Sequence, residues 1–500
     1  MTEPAAYEHR TSTVDGVPVH HFPDEHGTCD AVLVFAVGGM NETLPTSGIL
    51  HVIEHLVMGA NRDTPIEVNA SVSLDTVMFE ASGRAAPVGA FLTAICRSLA
   101  QPPTERLEVE ASVIAAEGGA PCHFLMAALS RLRFGNRGPG LALPEGPGPD
   151  GIPAAMIETF AARWFTAGNA VLTIVGELPE LSLPLRPGAA PARVPVPRRT
   201  FTQSEAVADY FPGAAVSLLV PPTTEGACHE LAVDVIAHRV EERVRHLSGH
   251  SYVVDTDYVV LDDGWTHVVV FAEAPERKID EVVSSLLQAV LGFRDEGPTS
   301  DEVVAAVEAR AERLHGRRAY VDQVLEGAVL ALRGVSWVVA TEPALRAVAF
   351  DEVSQAVRDL VRDAQFAIHE ASKATAVRLG VPVTDGLPTH PELPAGREFR
   401  PPVWVRAVTP GARRAVLVLH ERGLAARLDD AVSVIDWEDV IGVMHVVEDE
   451  VHVVFGADGH DIPVGARLYK GGAAVVAEIL RRVPAELVFD QSKFIDEGVG

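Results

Sequence analysis

The pattern of apolar and polar residues predicts a chain in which strands and helices alternate. Residues 31–37 form a strongly apolar run that ends at two glycines, which is typical of a buried strand. A helix is predicted around the apolar segment 48–58, and residues 66–81 favour extended structure. Further elements are predicted in chain order: helices at 89–99, 105–117 and 154–164, and a strand at 169–176. Residues 1–180 are therefore expected to form one mixed α/β unit.

The same order of elements begins again after a stretch rich in proline, alanine and arginine at 181–199, which is typical of a linker. Strands are predicted at 214–220, 252–261 and 266–272. Helices are predicted at 228–247, 276–296 and 300–313, with more to about residue 376. We therefore expect a second unit at 200–380 that is related to the first.

A second proline-rich linker is predicted at 381–402, and residues 403–500 have a different character. Short strands are predicted there in succession, with a closing helix at 471–482; the strands fall at 403–408, 414–420, 423–428, 431–435, 440–447 and 451–456. This order resembles a pleckstrin-homology-like domain. Docking or self-association and a purely stabilising appendage remain equal alternatives for its role. The expected fold class is α+β, with two related mixed α/β units and a β-rich PH-like domain.

Composition narrows the functional classes. The 500 residues are 47% hydrophobic and 22% charged, which is typical of a globular chain, and the net charge is −28. An acidic surface argues against nucleic acid and anionic membranes as partners. There is no apolar run of spanning length, no signal-like N-terminus and no C-x-x-C pair among the four cysteines. A cytoplasmic protein without a membrane segment is the expectation.

The predicted helix at 48–58 carries a pattern that indicates metal chemistry, H-x-x-E-H. On a helix, His51 and His55 lie one turn apart on one face, and Glu54 lies between the same two turns. Two imidazoles can hold a metal ion while an adjacent carboxylate acts as a general base. The alternative is that both histidines are packed core residues.

A catalytic zinc site of this kind needs a third protein ligand. Glu110 and Glu117 are the best candidates, because seven residues are two helical turns and place both carboxylates on one face of the helix predicted at 105–117. The alternative for either is a solvated surface charge.

These segments together resemble the pitrilysin and mitochondrial-processing-peptidase family of zinc metallopeptidases, over roughly residues 11–376. The resemblance implies one Zn²⁺ per chain held by His51, His55 and Glu117, with Glu54 as the catalytic base and Glu110 as a supporting acid. The interval between His55 and Glu117 is shorter than is usual in that family, which concerns the shape of the pocket more than the identity of the ligands.

The resemblance also implies a substrate path. Asn69 and Ala70 match the family's Asn-Ala strand that holds peptide, and Arg245 and Tyr252 match its Arg…Tyr pair in the second unit. The alternatives are a surface cation for Arg245 and a core residue for Tyr252. Because the family encloses its chamber with four such units, a homodimer is expected, or a heterodimer with a related chain.

The function expected from these residues is a zinc-dependent endopeptidase that cleaves peptides or unfolded segments, with leader-peptide processing as one such task. Two alternatives belong to other classes. One is a non-catalytic structural or partner subunit of a peptidase complex, and the other is a peptide-binding scaffold.

Overall fold

The computed structural model describes most of the chain, and every structural statement below concerns the described residues: 7–24, 27–117, 122–142, 146–222, 227–247, 253–337, 341–388, 390–408, 413–428 and 431–491. Two six-stranded sheets with helices are followed by a β-rich region with a closing helix. The predicted α+β fold class is therefore confirmed. No helix within the described ranges is long and apolar enough to cross a membrane.

The first unit contains a six-stranded sheet with helices on it. Its strands are β1 (Arg10–Val14), β2 (Val17–Phe22), β3 (Cys29–Phe35), β4 (Glu67–Val72), β5 (Val77–Gly83), β6 (Thr166–Gly168), β7 (Ala170–Gly176) and β8 (Arg186–Ala189). Its helices are α1 (Ile49–Ala60), α2 (Ala85–Ala100), α3 (Leu107–Glu117), α4 (Phe124–Phe134) and α5 (Ala154–Trp164). The strand order is β1-β2-β7-β3-β5-β4, while β6 and β8 pair separately.

The predicted apolar run at 31–37 lies at the centre of this sheet. It corresponds to β3, which pairs antiparallel with both β5 and β7. Helices α1, α2 and α5 pack their apolar faces on one side of the sheet, because their buried residues recur at helical spacing. The strand β4 lies at the edge of the sheet and leaves one side free of pairing among the described strands.

The second unit repeats this arrangement. Its strands are β9 (Ala206–Asp209), β10 (Gly213–Val220), β11 (Val253–Val260), β12 (Thr266–Glu273), β13 (Gln365–His369) and β14 (Val383–Thr384), in the order β11-β12-β10-β13-β9-β14. Its helices are α6 (Cys228–Glu241), α7 (Ile279–Asp295), α8 (Ser300–Arg313), α9 (Arg317–Leu332), α10 (Glu342–Ala347), α11 (Phe350–Arg362) and α12 (Lys373–Arg378). A π-helical segment, Glu242–Leu247, continues α6.

Each sheet receives a helix from the other unit on its second face. Helix α4 belongs to the first unit by its place in the sequence. Its Leu125 and Leu129 nevertheless pack against the second sheet, where they contact Ala215 and Phe271. Conversely, α9 comes from the second unit, and its Val329 packs against Val34 and Val171 of the first sheet. The two units therefore share their cores.

The C-terminal region contains two four-stranded sheets, with orders β15-β16-β17-β18 and β21-β20-β19-β22. Its elements are β15 (Arg397–Phe399), α13 (Val403–Val408), β16 (Val416–His420), β17 (Gly423–Leu428), β18 (Ala431–Asp436), β19 (Val440–Val446), β20 (Val451–Gly456), β21 (Asp461–Gly465), α14 (Gly472–Arg482) and β22 (Val488–Asp490). Both sheets and α14 contribute to one apolar core.

Most of the strands predicted in this region are confirmed, with one exception. Residues 403–408, predicted as a strand, form the helix α13. A short apolar run fits either element, and here the side chains of Val403 and Trp404 are exposed, so burial did not impose a strand. The short strands β15, β21 and β22 were not predicted.

Candidate metal centre

The H-x-x-E-H segment is helical, as predicted. Helix α1 begins after Gly48, whose φ of 86° is a conformation that glycine adopts without steric cost. Leu50, Ile53 and Val57 bury the opposite face of the helix in the core of the first unit. This anchoring leaves the two histidines on the other face, where their rings stand with centroids 4.7 Å apart.

The N-terminus of α1 is capped by the carboxylate of Glu42, which lies in the preceding loop. Gly48 offers no side chain, and the two oxygens of Glu42 accept hydrogen bonds from the amides of Gly48 and Leu50, at 2.8 and 3.0 Å. These amides would otherwise lack helical partners. Glu42 thus fixes the start of the helix only a few residues before the first histidine.

Helix α3 brings a carboxylate to the histidines. One oxygen of Glu117, Oε2, lies 3.2 Å from Nε2 of His55 and 3.9 Å from Nε2 of His51. Donor atoms of the three residues all lie within 4.8 Å of one another, so the structure brings the three predicted ligands together. The side chain of Glu117 is 50% exposed, which leaves the group open on one side. Gly118-Gly119, which follow, lie outside the described residues.

Glu110 lies next to His55, on the side of its ring away from Glu117. Its carboxylate is 3% exposed, and Oε1 accepts hydrogen bonds from Nε and Nη2 of Arg106 at 3.1 and 2.6 Å. Its second oxygen, Oε2, lies 3.8 Å from Nδ1 of His55. Glu110 therefore contacts a histidine of the group, and its bonds to Arg106 hold it in that place.

Glu54 lies beside the three grouped residues, and its pKa is raised. Its Oε2 lies 3.8 Å from Nε2 of His55. Burial raises the pKa of Glu54; the carboxylates of Glu117 and Glu110 raise it further, while His55 opposes them. Burial likewise lowers the pKa of His51, with help from His55 and against Glu117. The arrangement favours a neutral imidazole, the form that binds metal ions, and a carboxylate with raised proton affinity.

Three of the four residues expected to bind substrate are described: Asn69 and Ala70 in the first unit and Arg245 in the second. Asn69 and Ala70 are on the edge strand β4, which packs beside α1, and Nδ2 of Asn69 donates to Glu80 at 3.0 Å. Arg245 lies in the π-helical segment after α6, where its exposed side chain bonds to Glu241 at 3.1 Å. No described contact joins Arg245 to the histidines. Tyr252 lies outside the described residues.

The structure also shows a second group of potential metal ligands that the sequence did not predict: His390, Asp458 and His460. They come from two segments far apart in sequence. The only local signal was the pattern Asp-Gly-His at 458–460, which is too short to indicate a site by itself.

The arrangement of sheets and helices is similar to that of solved structures of M16-type peptidases. No protein-family model and no curated protein matches the sequence. Solved structures do match, and this bears out the fold that the sequence resemblance implied. An M16 peptidase inactive domain from Pseudomonas fluorescens has a TM-score of 0.58 at 15% identity, covering 72% of this chain and 97% of that one.

Two further structures show the range of sizes. A protease from Helicobacter pylori has a TM-score of 0.57 at 14% identity and covers 73% of this chain and 99% of that one. The periplasmic protease PqqL from Escherichia coli has a TM-score of 0.56 at 14% identity; the match covers 87% of this chain but only 56% of PqqL. Identities this low establish the fold alone.

Proposed function

We propose that this chain is a zinc-dependent endopeptidase that cleaves peptides or unfolded segments. The observation that carries the proposal is the convergence of His51, His55 and Glu117 from two helices, with Glu54 beside them. An M16 fold without these residues would support only a structural role. Their presence in one group, open on one side, supports catalysis.

The donor set fits zinc. Two imidazoles and one carboxylate are the protein ligands of many catalytic zinc sites, which keep a further position open for water or substrate. His51, His55 and Glu117 would hold the ion, and the exposure of Glu117 supports an open position. When bound, zinc supplies Lewis-acid activation of water and of the peptide carbonyl.

The remaining chemistry falls to the chain's own carboxylates. Glu54 would accept a proton from the attacking water at its carboxylate and then donate it to the leaving amine. A raised pKa suits this double role, because a base that is too weak cannot take the proton and one that is too strong cannot return it. Glu110 would keep the imidazole of His55 oriented through Nδ1.

We propose that the peptide adds as a further strand to β4. This strand is at the edge of its sheet and packs beside α1, so a paired peptide would run next to the metal helix. Backbone hydrogen bonds dominate such binding and tolerate many sequences. Asn69 and Ala70 would contact the peptide there, and Arg245 and Tyr252 would contact it from the second unit.

A second chain is proposed to complete the chamber, most simply another copy of this one. The match to PqqL covers only 56% of that longer protein, which supports the proposal that this chain represents about half of a closed assembly. A fully active monomer in solution would contradict the dimer while leaving the zinc chemistry intact.

The competing function is a non-catalytic partner subunit. It has support of its own, because one matching structure is described as an inactive domain. Cleavage of a mixed peptide library by the purified chain, mapped by mass spectrometry with and without a chelator, separates the two. We expect chelator-sensitive cleavage restored by Zn²⁺. Zinc binding at the His51 group without cleavage by either the monomer or the dimer would favour the partner subunit.

A further inference from the structure

The second group of ligands, His390, Asp458 and His460, lies where the C-terminal region meets α4. One donor atom from each residue lies within 4.8 Å of the others. Within the described part of the chain, only this group and the His51 group bring three such donors together. The feature is therefore uncommon in this molecule, and its chemistry is that of a metal site: two imidazoles and a carboxylate.

A tight turn between β20 and β21 fixes two of the ligands. The amide of Gly456 donates to the carbonyl of His460 at 2.8 Å, and Gly459 adopts a φ of +104°, which side chains rarely allow. The amide of His460 also donates to Oδ1 of Asp458 at 3.1 Å, while Nδ1 of His460 lies 2.8 Å from Oδ2 of the same residue. Asp458 and His460 are thus held side by side before any ion arrives.

The third ligand, His390, has a buried ring nitrogen, Nε2, that lacks a hydrogen-bond partner among the described residues. Its ring stands with its centroid 5.8 Å from that of His460. A buried polar atom left unpaired costs about 1–3 kcal/mol. A metal ion between the two rings would give this nitrogen a partner.

The local charges permit a cation. Asp458 supplies the carboxylate of the group, and its Oδ2 lies against Nδ1 of His460. Two cationic side chains lie near the group. Arg199 is close enough for its charge to interact with Asp458. Arg131 contacts the turn itself, because its Nη2 donates to the carbonyl of Gly459 at 2.7 Å. Its charge is partly balanced by Asp461, 3.8 Å away.

The turn also rests on the first unit. The amide and the Nδ2 of Asn136, just after α4, donate to the carbonyls of Ala457 and Gly456 at 3.1 and 3.0 Å. His390, by contrast, belongs to the segment between β14 and β15. An ion held by the three ligands would therefore connect that segment to a turn already docked on α4.

We propose that His390, Asp458 and His460 form a structural site for a divalent transition-metal ion, Zn²⁺ foremost, which fixes the C-terminal region on the two peptidase-like units. Nitrogen and oxygen donors of this set suit zinc. Donors around a tetrahedral zinc stand roughly 3.3 Å apart, so side-chain adjustments of about 1 Å would bring the three donors to that spacing, and water would fill the fourth position. The site is separate from the proposed peptidase centre and does not depend on it.

The test uses the full chain with the first group removed. In a His51→Ala/His55→Ala background, protein stripped with a chelator and then given Zn²⁺ is expected to retain one zinc per chain by elemental analysis. His390→Ala and, separately, His460→Ala are expected to weaken zinc binding at least about tenfold. Zinc is also expected to raise the melting temperature of the background protein, and this rise should vanish with His390→Ala.

A matched control comes from the same region. His445 contacts Asp490 at 3.0 Å and stacks on His452, but this pair is not part of a three-donor group among the described residues. His445→Ala is expected to leave zinc content unchanged. Because His460 is buried, its variant is checked by circular dichroism, and His390→Ala, at a half-buried position, carries the conclusion if His460→Ala unfolds. A folded background protein that binds no zinc, or zinc lost with His445→Ala but kept with His390→Ala, overturns the proposal.

Discussion

Glu110 and Glu117 contact opposite nitrogens of His55. Oε2 of Glu117 lies 3.2 Å from Nε2, and Oε2 of Glu110 lies 3.8 Å from Nδ1. A carboxylate behind a metal-binding imidazole fixes its orientation and raises its basicity. We therefore expect Glu110→Gln to lower zinc affinity about 10- to 100-fold, measured by competition with a chromogenic chelator. Glu108→Gln, an exposed position on the same helix, serves as control. Unchanged affinity in Glu110→Gln would remove Glu110 from the site.

Glu54 is expected to matter for turnover and not for metal binding. Its carboxylate lies beside His55 but is not one of the three grouped donors. Glu54→Gln should reduce kcat about 10²- to 10⁴-fold, the usual range for loss of a general base, with zinc content unchanged. Single-turnover peptide cleavage and elemental analysis on the same sample check both parts. Cleavage at the wild-type rate would refute the proposed mechanism.

Arg133 on α4 is fully buried and links the two units. Its Nε donates to the hydroxyl of Ser217 on β10 at 2.9 Å, and its Nη1 contacts Asp363 at 2.5 Å. The side chain of Asp363 is 36% exposed, so water can solvate it when Arg133 is removed. The hydroxyl and the carbonyl of the buried Ser217 would lose their bonds to Arg133, which costs about 1–3 kcal/mol. Arg133→Met should lower the free energy of unfolding by that amount in urea denaturation. Arg163→Met, at the exposed end of α5, should change it little.

Glu326 on α9 predicts a pH dependence of stability. Burial raises the pKa of Glu326 to about 7, the carboxylates of Glu230 and Asp75 contribute, and Arg310 opposes them. In the unfolded chain this carboxyl ionises near 4.5, so the folded state holds the proton more tightly. The stability that the protonated Glu326 carboxyl contributes is therefore fully present below pH 4.5 and is lost as the pH rises through about 7.

Glu326→Gln should accordingly stabilise the protein at pH 8, by about 2 kcal/mol after allowance for partial exposure. The gain should be smaller at pH 5, where the wild-type carboxyl is mostly protonated in the folded state. Denaturation at both pH values measures the difference. Glu312→Gln, at an exposed position on α8, is the control. An equal effect at both pH values would show that the titration of Glu326 is not responsible.

Sequence periodicity predicted the helix α1 well because this helix has one buried and one open face. The apolar residues recur at helical spacing, and the functional residues occupy the remaining positions. The same reasoning placed Glu117 on the helix that approaches His55. Local pattern and tertiary packing agree at this site, so the grouping of these side chains could be predicted without the fold.

The helix α4 shows where this reasoning fails. It was not predicted, and nearly all of its residues are buried, including Ser130 and Arg133. A helix buried all round has no polar face and so no clear periodic signal. The His390 group escaped prediction for a different reason: its members are brought together only when the C-terminal region docks on α4.

The exchange of α4 and α9 between the two sheets has a consequence for how the chain can be divided. The proline-rich stretch at 181–199 separates two sheets, but cutting there would leave each half holding the helix that its counterpart requires. Each half alone would expose one apolar face of its sheet, a surface prone to aggregation. Two fragments made separately should therefore be insoluble alone and recover a shared structure only when they are synthesised together.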